Sequence, residues 1–119
     1  MENSVAYEKS KRFAIRIVRL YRHLVERDEY VLAKQLLRSG TSIGANLAES
    51  VRAISRNDFL AKVYIALKEC SETEYWLDLL HDTGSLTDAE YASIHADCLD
   101  LLHILSATTK TMTKGQTSE

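Results

Sequence analysis

The sequence predicts an all-α fold, an antiparallel up-down-up-down four-helix bundle, and three observations carry that reading. The chain has 119 residues with no proline and only four glycines, too few for the turns of a β or loop-rich fold. Apolar residues recur at steps of three and four through four long stretches, the period of a helix that buries one face. The segments between them are short, which makes successive helices antiparallel neighbours. With 45% apolar and 27% charged residues, one domain with its own core is expected. Residues 1–109 form that domain, and 110–119 read as a polar tail that frays.

The first helix is expected from about Ser4 to Arg27, with Phe13, Ile17, Leu20 and Leu24 as its core stripe and Tyr21 and Val25 widening it. On its other side Lys9, Arg12, Arg16, Arg19 and His23 stack as a basic ridge. Such a ridge is normally a solvated face, and it is also what a phosphate-contacting helix presents.

The second helix, from about Glu29 to Ala53, is the centre of the design. Leu32, Leu36, Ile43, Leu47 and Val51 make one apolar stripe, and Gly40, Gly44 and Ala48 follow each other on a single face. Glycine inside a helix costs ~1 kcal/mol relative to alanine. A helix that carries two of them gains by letting a neighbouring backbone approach, and folding back the first helix brings Phe13 or Ile17 beside Gly40.

Ser55 reads as the N-cap of a third helix ending near Asp82, with Asp58 in its first turn. Phe59, Val63, Ala66, Cys70, Leu77 and Leu80 form its buried stripe. A second face holds Lys62, Ile65, Glu69, Glu72, Trp76 and Leu79. The second helix answers with the polar strip Arg38, Ser42, Asn46 and Glu49. Antiparallel register then sets Arg38 against Glu72, Ser42 against Lys68 or Glu69, and Glu49 against Lys62, a ladder between helices or between subunits.

Thr83-Gly84 ends the third helix, and Thr87-Asp88-Ala89-Glu90 is a capping box for the fourth. That helix runs to about Thr109 with Tyr91, Ile94, Cys98, Leu101, Leu102 and Leu105 inward.

Charge is divided along the chain. Residues 1–56 carry eleven Lys or Arg against six Asp or Glu, whereas residues 57–119 carry four against eleven. This split serves contact between the halves, contact between subunits, or a basic face offered to a polyanion. There is no apolar run of the ~20 residues that span a membrane and no signal-peptide pattern, so a cytoplasmic protein is expected. Cys70 and Cys98 lie within apolar patterns and read as reduced core thiols.

Catalytic and metal motifs are sparse. Asp78-Leu-Leu-His81 and Asp100-Leu-Leu-His103 imitate the ligand pairs of di-metal bundles. Their register separates them by roughly 12 Å along the axis, so they do not serve one centre. A mononuclear site from Cys70, Cys98 and His95 is weighed against packed thiols and an ordinary histidine, and the latter reading is preferred. No catalytic residues, cofactor, metal or small-molecule substrate is expected.

From Gln35 to Leu80 the chain carries RS-x-TSI-x-AN-x-x-E, then S-x-x-DF, then IA-x-KE-x-x-E-x-x-YWL-x-LL. This string closely resembles the bacterial four-helix bundle family also called the 23S rRNA-intervening-sequence or S23 protein family. Its relatives include accessory proteins of diversity-generating retroelements, ring-shaped pentamers that bind nucleic acid and a reverse transcriptase. The resemblance implies a homo-oligomer, a pentamer by preference, with polar residues of the second and third helices at the subunit contact. It also implies binding to RNA or an RNA-associated protein, for which Lys9, Arg12, Arg16, Arg19, Arg52 and Arg56 are the candidates.

Three functional readings follow. The first is a non-catalytic scaffold that contacts RNA or an RNA-processing partner through the basic ridge. The second is a protein-interaction module whose acidic second half docks a basic partner. The third is a metal-binding or enzymatic bundle.

Overall fold

Helices form where the apolar periodicity runs, and their ends are set by local hydrogen bonds. The computed structural model describes residues 4–117, with side chains from 5 to 113, as α1 (Ser4–Glu26), α2 (Val31–Ser50), α3 (Arg56–Asp82) and α4 (Asp88–Thr117). Each helix packs on its neighbours in the chain, and α1 also packs on α4, which is the loosest of the four seams. The result is an up-down-up-down square, drawn out into a rod of 51 × 22 × 21 Å.

The two turns at one end of the rod share a design. After α3, Gly84 takes φ 84°, its N–H bonds to the His81 carbonyl, and the Ser85 N–H reaches back to Leu80 at 2.8 Å. After α1, Asp28 takes the same left-handed conformation, φ 63°, with Asp28 N–H to Val25 and Glu29 N–H to Leu24. Both are Schellman closures, which return orphan carbonyls to the hydrogen-bond network. Aspartate tolerates the left-handed region better than most residues, and the Tyr30 hydroxyl donates to its carboxylate at 2.8 Å. This closure ends α1 at Glu26 and delays α2 to Val31, two residues later than the sequence pattern indicates.

The starts of α3 and α4 are capped by side chains. The Ser55 hydroxyl accepts from the Asp58 N–H at 3.0 Å while the Asp58 carboxylate accepts from the Ile54 N–H. Thr87 and Glu90 form the reciprocal capping box itself: the Thr87 hydroxyl accepts from the Glu90 N–H and the Glu90 carboxylate accepts from the Thr87 N–H. Because α2 ends at Ser50, Val51 falls outside the helix as its C-cap. It is 56% exposed, which corrects its expected place on the core stripe.

The core is otherwise the one the periodicity indicates. Phe13, Ile17, Leu24, Leu36, Ile43, Leu47, Phe59, Val63, Ala66, Cys70, Leu77, Leu80, Ile94, Cys98, Leu101 and Leu105 are buried. Leu20, Leu32, Tyr91 and Leu102 pack against them half-buried. Ala6, Ser10, Ser39 and Thr73 are also buried. The Thr73 hydroxyl donates to the Ser39 hydroxyl at 2.9 Å, a polar cross-link between α2 and α3 that leaves neither oxygen unpartnered.

Gly40 and Gly44 explain the closeness of α1 and α2. A Cβ at position 40 would come within 2.8 Å of the Ile17 side chain, and one at position 44 within 3.2 Å of the Ser10 hydroxyl. Ala48 continues this line beside Tyr7 and Arg52.

The far end differs from the expected tail. Instead of stopping near Thr109, α4 continues to Thr117. Thr109 is buried and Met112 packs against the core. Arg56 donates to the Met112 carbonyl at 3.1 Å, and Tyr64 is bonded to Thr113. These contacts reward the extra turns, so the tail reading fails for this segment; residues 118 and 119 lie outside the described residues. None of the described helices is long and apolar enough to cross a membrane.

Candidate functional site

The basic ridge of α1 faces the carboxylates of α4 along the loose seam. Lys9 pairs with Asp100 at 2.8 Å, and Arg16 binds Asp97 together with the hydroxyl and carbonyl of Ser93. Arg27 makes a two-toothed contact with Glu90 and also donates to the Ser85 carbonyl. His23 stands 3.9 Å from the same carboxylate. Much of the charge division along the chain is therefore satisfied inside one molecule.

Glu90 is the hub of this seam. The Arg27 guanidinium and the Thr87 backbone N–H hold its carboxyl at a pKa of about 2 against the ordinary 4.5, burial opposing them. Its two roles, capping α4 and clasping α1, use the same two oxygens.

This pairing divides the candidate nucleic-acid residues. Lys9 and Arg16 are spent on Asp100 and Asp97. Arg56 is tied to the end of α4. Arg12, Arg19 and Arg52 are exposed and form no ion pair among the described residues, and Lys11 and Arg22 on α1 share that condition. Ile15, also exposed, lies between them on the outer face of α1. Lys11 and Arg22, eleven residues apart at three helical turns, share a face beside the ridge, and that spacing was the available signal for them.

Along the opposite seam, between α2 and α3, Arg38 engages both Glu69 and Glu72, and the Trp76 indole N–H donates to Glu72 at 2.9 Å. Lys62 meets Glu49 at 3.0 Å. Ser42 and Asn46, between these ionic ends, turn to their own helix: the Ser42 hydroxyl donates to the Arg38 carbonyl and the Asn46 amide to the Ser42 carbonyl. The expected rung from Ser42 to Lys68 or Glu69 is thus replaced by a bond within α2, because a serine side chain reaches the carbonyl one turn back more easily than a neighbouring helix.

Replacing Arg38 with leucine should expose the cost of this seam. It leaves two half-buried carboxylates side by side without their cation, so a loss of about 1–2 kcal/mol is expected. Urea unfolding of Arg38→Leu measures it, and the Arg38→Leu/Glu69→Gln/Glu72→Gln variant should recover part of the loss.

A third cluster joins α3 to α4. The rings of His81, Tyr91 and His95 stack in sequence, with centroids 4.2 and 4.7 Å apart. His81 is bonded to Asp88, His95 to Glu74, and the Tyr91 hydroxyl donates to Asp78. That bond, with burial adding to it, raises the Tyr91 pKa to about 12. Tyr91 and His95, one turn apart and level with Asp78 and Glu74 in antiparallel register, were the available signal for this stack.

These contacts also place the residues considered for metal binding. Asp78 and His81 are engaged with Tyr91 and Asp88, and His95 turns to Glu74 and away from the thiols. Cys70 and Cys98 are free and buried with their sulfurs 4.0 Å apart. The hydrogen bond with Cys70, then burial, pushes the Cys98 thiol pKa up. Among the described residues no group of three or more His, Cys, Asp or Glu side chains is placed to hold a metal ion.

The geometry defines an all-α four-helix bundle whose charged seams are mostly closed internally. The chain belongs to the 23S rRNA-intervening sequence protein family, whose model matches residues 2–107. It is similar to a crystal structure of a protein of unknown function from the S23 ribosomal protein family of Bacteroides thetaiotaomicron VPI-5482. The two chains are 51% identical and superpose with a TM-score of 0.87, over 88% of this chain and 98% of that one. No curated protein matches this chain. The family is not a known enzyme family.

Proposed function

We propose that the protein is a non-catalytic, cytoplasmic scaffold that assembles with copies of itself, a pentamer by family resemblance, and contacts RNA through the outer face of α1. The observation that carries the reading is the division of the α1 cations. Lys9, Arg16 and Arg27 are consumed by α4, while Lys11, Arg12, Arg19 and Arg22 stay exposed without a carboxylate partner among the described residues. Four cations without a carboxylate partner leave a row of positive charge along the outer face of α1. Phosphate oxygens are the ligands that such a row takes without base recognition, and the family's association with ribosomal RNA inserts points the same way. Repetition of the row in an oligomer multiplies a weak contact.

The competing reading, an acidic half that docks a basic partner, has less to stand on. Glu90, Asp97 and Asp100 already hold the cations of α1, and Glu74 and Asp78 are held by His95 and Tyr91.

Salt titration of binding to a fluorescent RNA hairpin tests the proposal. Four phosphate contacts per chain give a slope of log K against log salt near −3 to −4, about 0.9 per contact. The Arg12→Ala/Arg22→Ala variant should reduce that slope by about two, while Lys9→Ala leaves it nearly unchanged. An absence of binding even at low salt would refute the RNA contact.

A further inference from the structure

Cys70, near the middle of α3, and Cys98 on α4 are the two cysteines of the chain. Both are fully buried, and antiparallel packing sets them face to face with their sulfurs 4.0 Å apart. Each thiol also reaches the main chain of the other. Cys70 donates to the Cys98 carbonyl at 3.5 Å, and Cys98 donates to the Cys70 carbonyl at 3.6 Å. A cysteine sulfur lies one bond beyond Cβ, so both contacts are made together only where two backbones run close.

Close, facing backbones are what a disulfide needs, since its geometry excludes pairs whose Cα atoms are far apart or whose side chains diverge. The sulfurs stand about 2 Å beyond the ~2.05 Å bond length. That gap is on the scale of a thiol's swing between rotamers about its Cα–Cβ bond.

The surroundings favour a neutral product. Both cysteines belong to the same core cluster as Ala66, Leu101 and Leu105. Glu74 and His95, a helical turn away on either side of the seam, are bonded to each other at 2.9 Å. A pair of thiolates would bring charge into this apolar space at high cost, whereas a disulfide brings none. Forming it orphans no acceptor, because both carbonyls lie inside helices and keep their intrahelical partners.

We propose that Cys70 and Cys98 are an oxidative modification site, joined as an intramolecular disulfide between α3 and α4 by a small neutral peroxide. The proposal goes beyond the RNA and assembly readings and depends on neither. With hydrogen peroxide, one thiol sulfur attacks a peroxide oxygen, the O–O bond breaks, and a sulfenic acid and water form. The second thiol sulfur then attacks the sulfenic sulfur. The S–S bond forms, the S–O bond breaks, and the hydroxyl leaves with the remaining thiol proton as a second water. Two thiols are oxidised and one peroxide is reduced.

Burial limits the reagent to small uncharged molecules that enter during local opening. It also keeps the Cys98 thiol protonated, together with the hydrogen bond from Cys70, so the cross-link accumulates under sustained exposure. Once formed, it ties α4 to α3, while the other neighbour of α4, α1, holds it through the loosest seam. The oxidised bundle therefore keeps α4 in place when that seam opens.

The test treats the reduced full-length chain with hydrogen peroxide under native conditions, then alkylates remaining thiols in denaturant. Trypsin releases both cysteines in one peptide, residues 69–110, which holds no methionine. That peptide should escape alkylation and weigh less than the reduced form by two hydrogen atoms. Thermal unfolding of the oxidised protein should shift upward by on the order of 10 °C and return after dithiothreitol. Cys70→Ala and Cys98→Ala should show no such shift with peroxide, with circular dichroism checking their helicity. The wild-type peptide decides by itself if either variant fails to fold. Thiols that remain alkylatable after overnight exposure, a peptide that gains oxygen instead, or cross-links between chains overturn the proposal. A disulfide that forms only in urea also overturns it, because the native packing would not then have brought the sulfurs together.

Discussion

Gly40→Leu should destabilise the bundle by about 3 kcal/mol or more, the upper range for overpacking a filled core. Even the first added atom would sit 2.8 Å from one branch of Ile17 and 2.9 Å from the other. Ile17 is itself fully buried, so it has no free space into which to retreat. Relief requires α1 and α2 to separate, which loosens every contact along that seam. In a chain of this size the loss corresponds to a fall in Tm on the order of 10 °C. Gly44→Ala provides the contrast. Its nearest neighbour is the Ser10 hydroxyl at 3.2 Å, which needs to give by only a few tenths of an ångström. Alanine also recovers ~1 kcal/mol of helix propensity, so Gly44→Ala should lie near neutral. Thermal unfolding of the two variants side by side measures the difference. Equal and small effects would mean that Gly40 is not a point of close approach. Adding Ile17→Ala to Gly40→Leu should restore part of the loss, because it vacates the space the new side chain needs.

Removing the charge of Glu90 should cost about 2 kcal/mol at neutral pH. Its carboxyl is held near pKa 2 in the folded protein against an ordinary 4.5, and each unit of such a shift is worth ~1.4 kcal/mol. The side chain keeps 28% exposure, so solvent screening reduces the full amount. The folded pKa is depressed, so the contribution is complete above pH 4.5 and disappears as pH falls toward 2. Wild type should therefore lose stability across that interval, while Glu90→Gln loses correspondingly less and starts lower. Urea unfolding at pH 7, 4 and 2.5 measures both curves, which should converge at the acid end. Parallel curves would show that Glu90 is not the group titrating there. The loss falls on the α1–α4 seam, where few other contacts replace the Arg27 clasp.

Much of the architecture was legible in the chain because it rests on short-range rules. The buried stripes follow a 3.6-residue period. Ser55, Thr87 and Gly84 are residues whose chemistry caps a helix or turns its end. Arg38 and Glu72 could be matched by antiparallel register alone. The break after Arg27 was legible, but the left-handed closure at Asp28 was not, because that conformation is usually a glycine's and aspartate adopts it only when the surrounding bonds select it. Thr109 looked like an end because the residues after it are polar. What carries α4 onward is a set of contacts to Arg56 and Tyr64, more than fifty and nearly fifty residues away in sequence.

The candidate surfaces were harder to read for a related reason. A lysine or arginine on a helix looks the same in sequence whether it faces water, a phosphate or a carboxylate on another helix. Lys9 and Arg16 were grouped with Arg12 and Arg19 by period, and only the placement of Asp100 and Asp97 on the adjoining helix separated the spent cations from the free ones. Periodicity and capping chemistry act within a few residues, so they specified four helices, their order and the side each turns inward. Charge partnership acts between segments distant along the chain, so which cations remain available was settled only when α1 and α4 came to lie together.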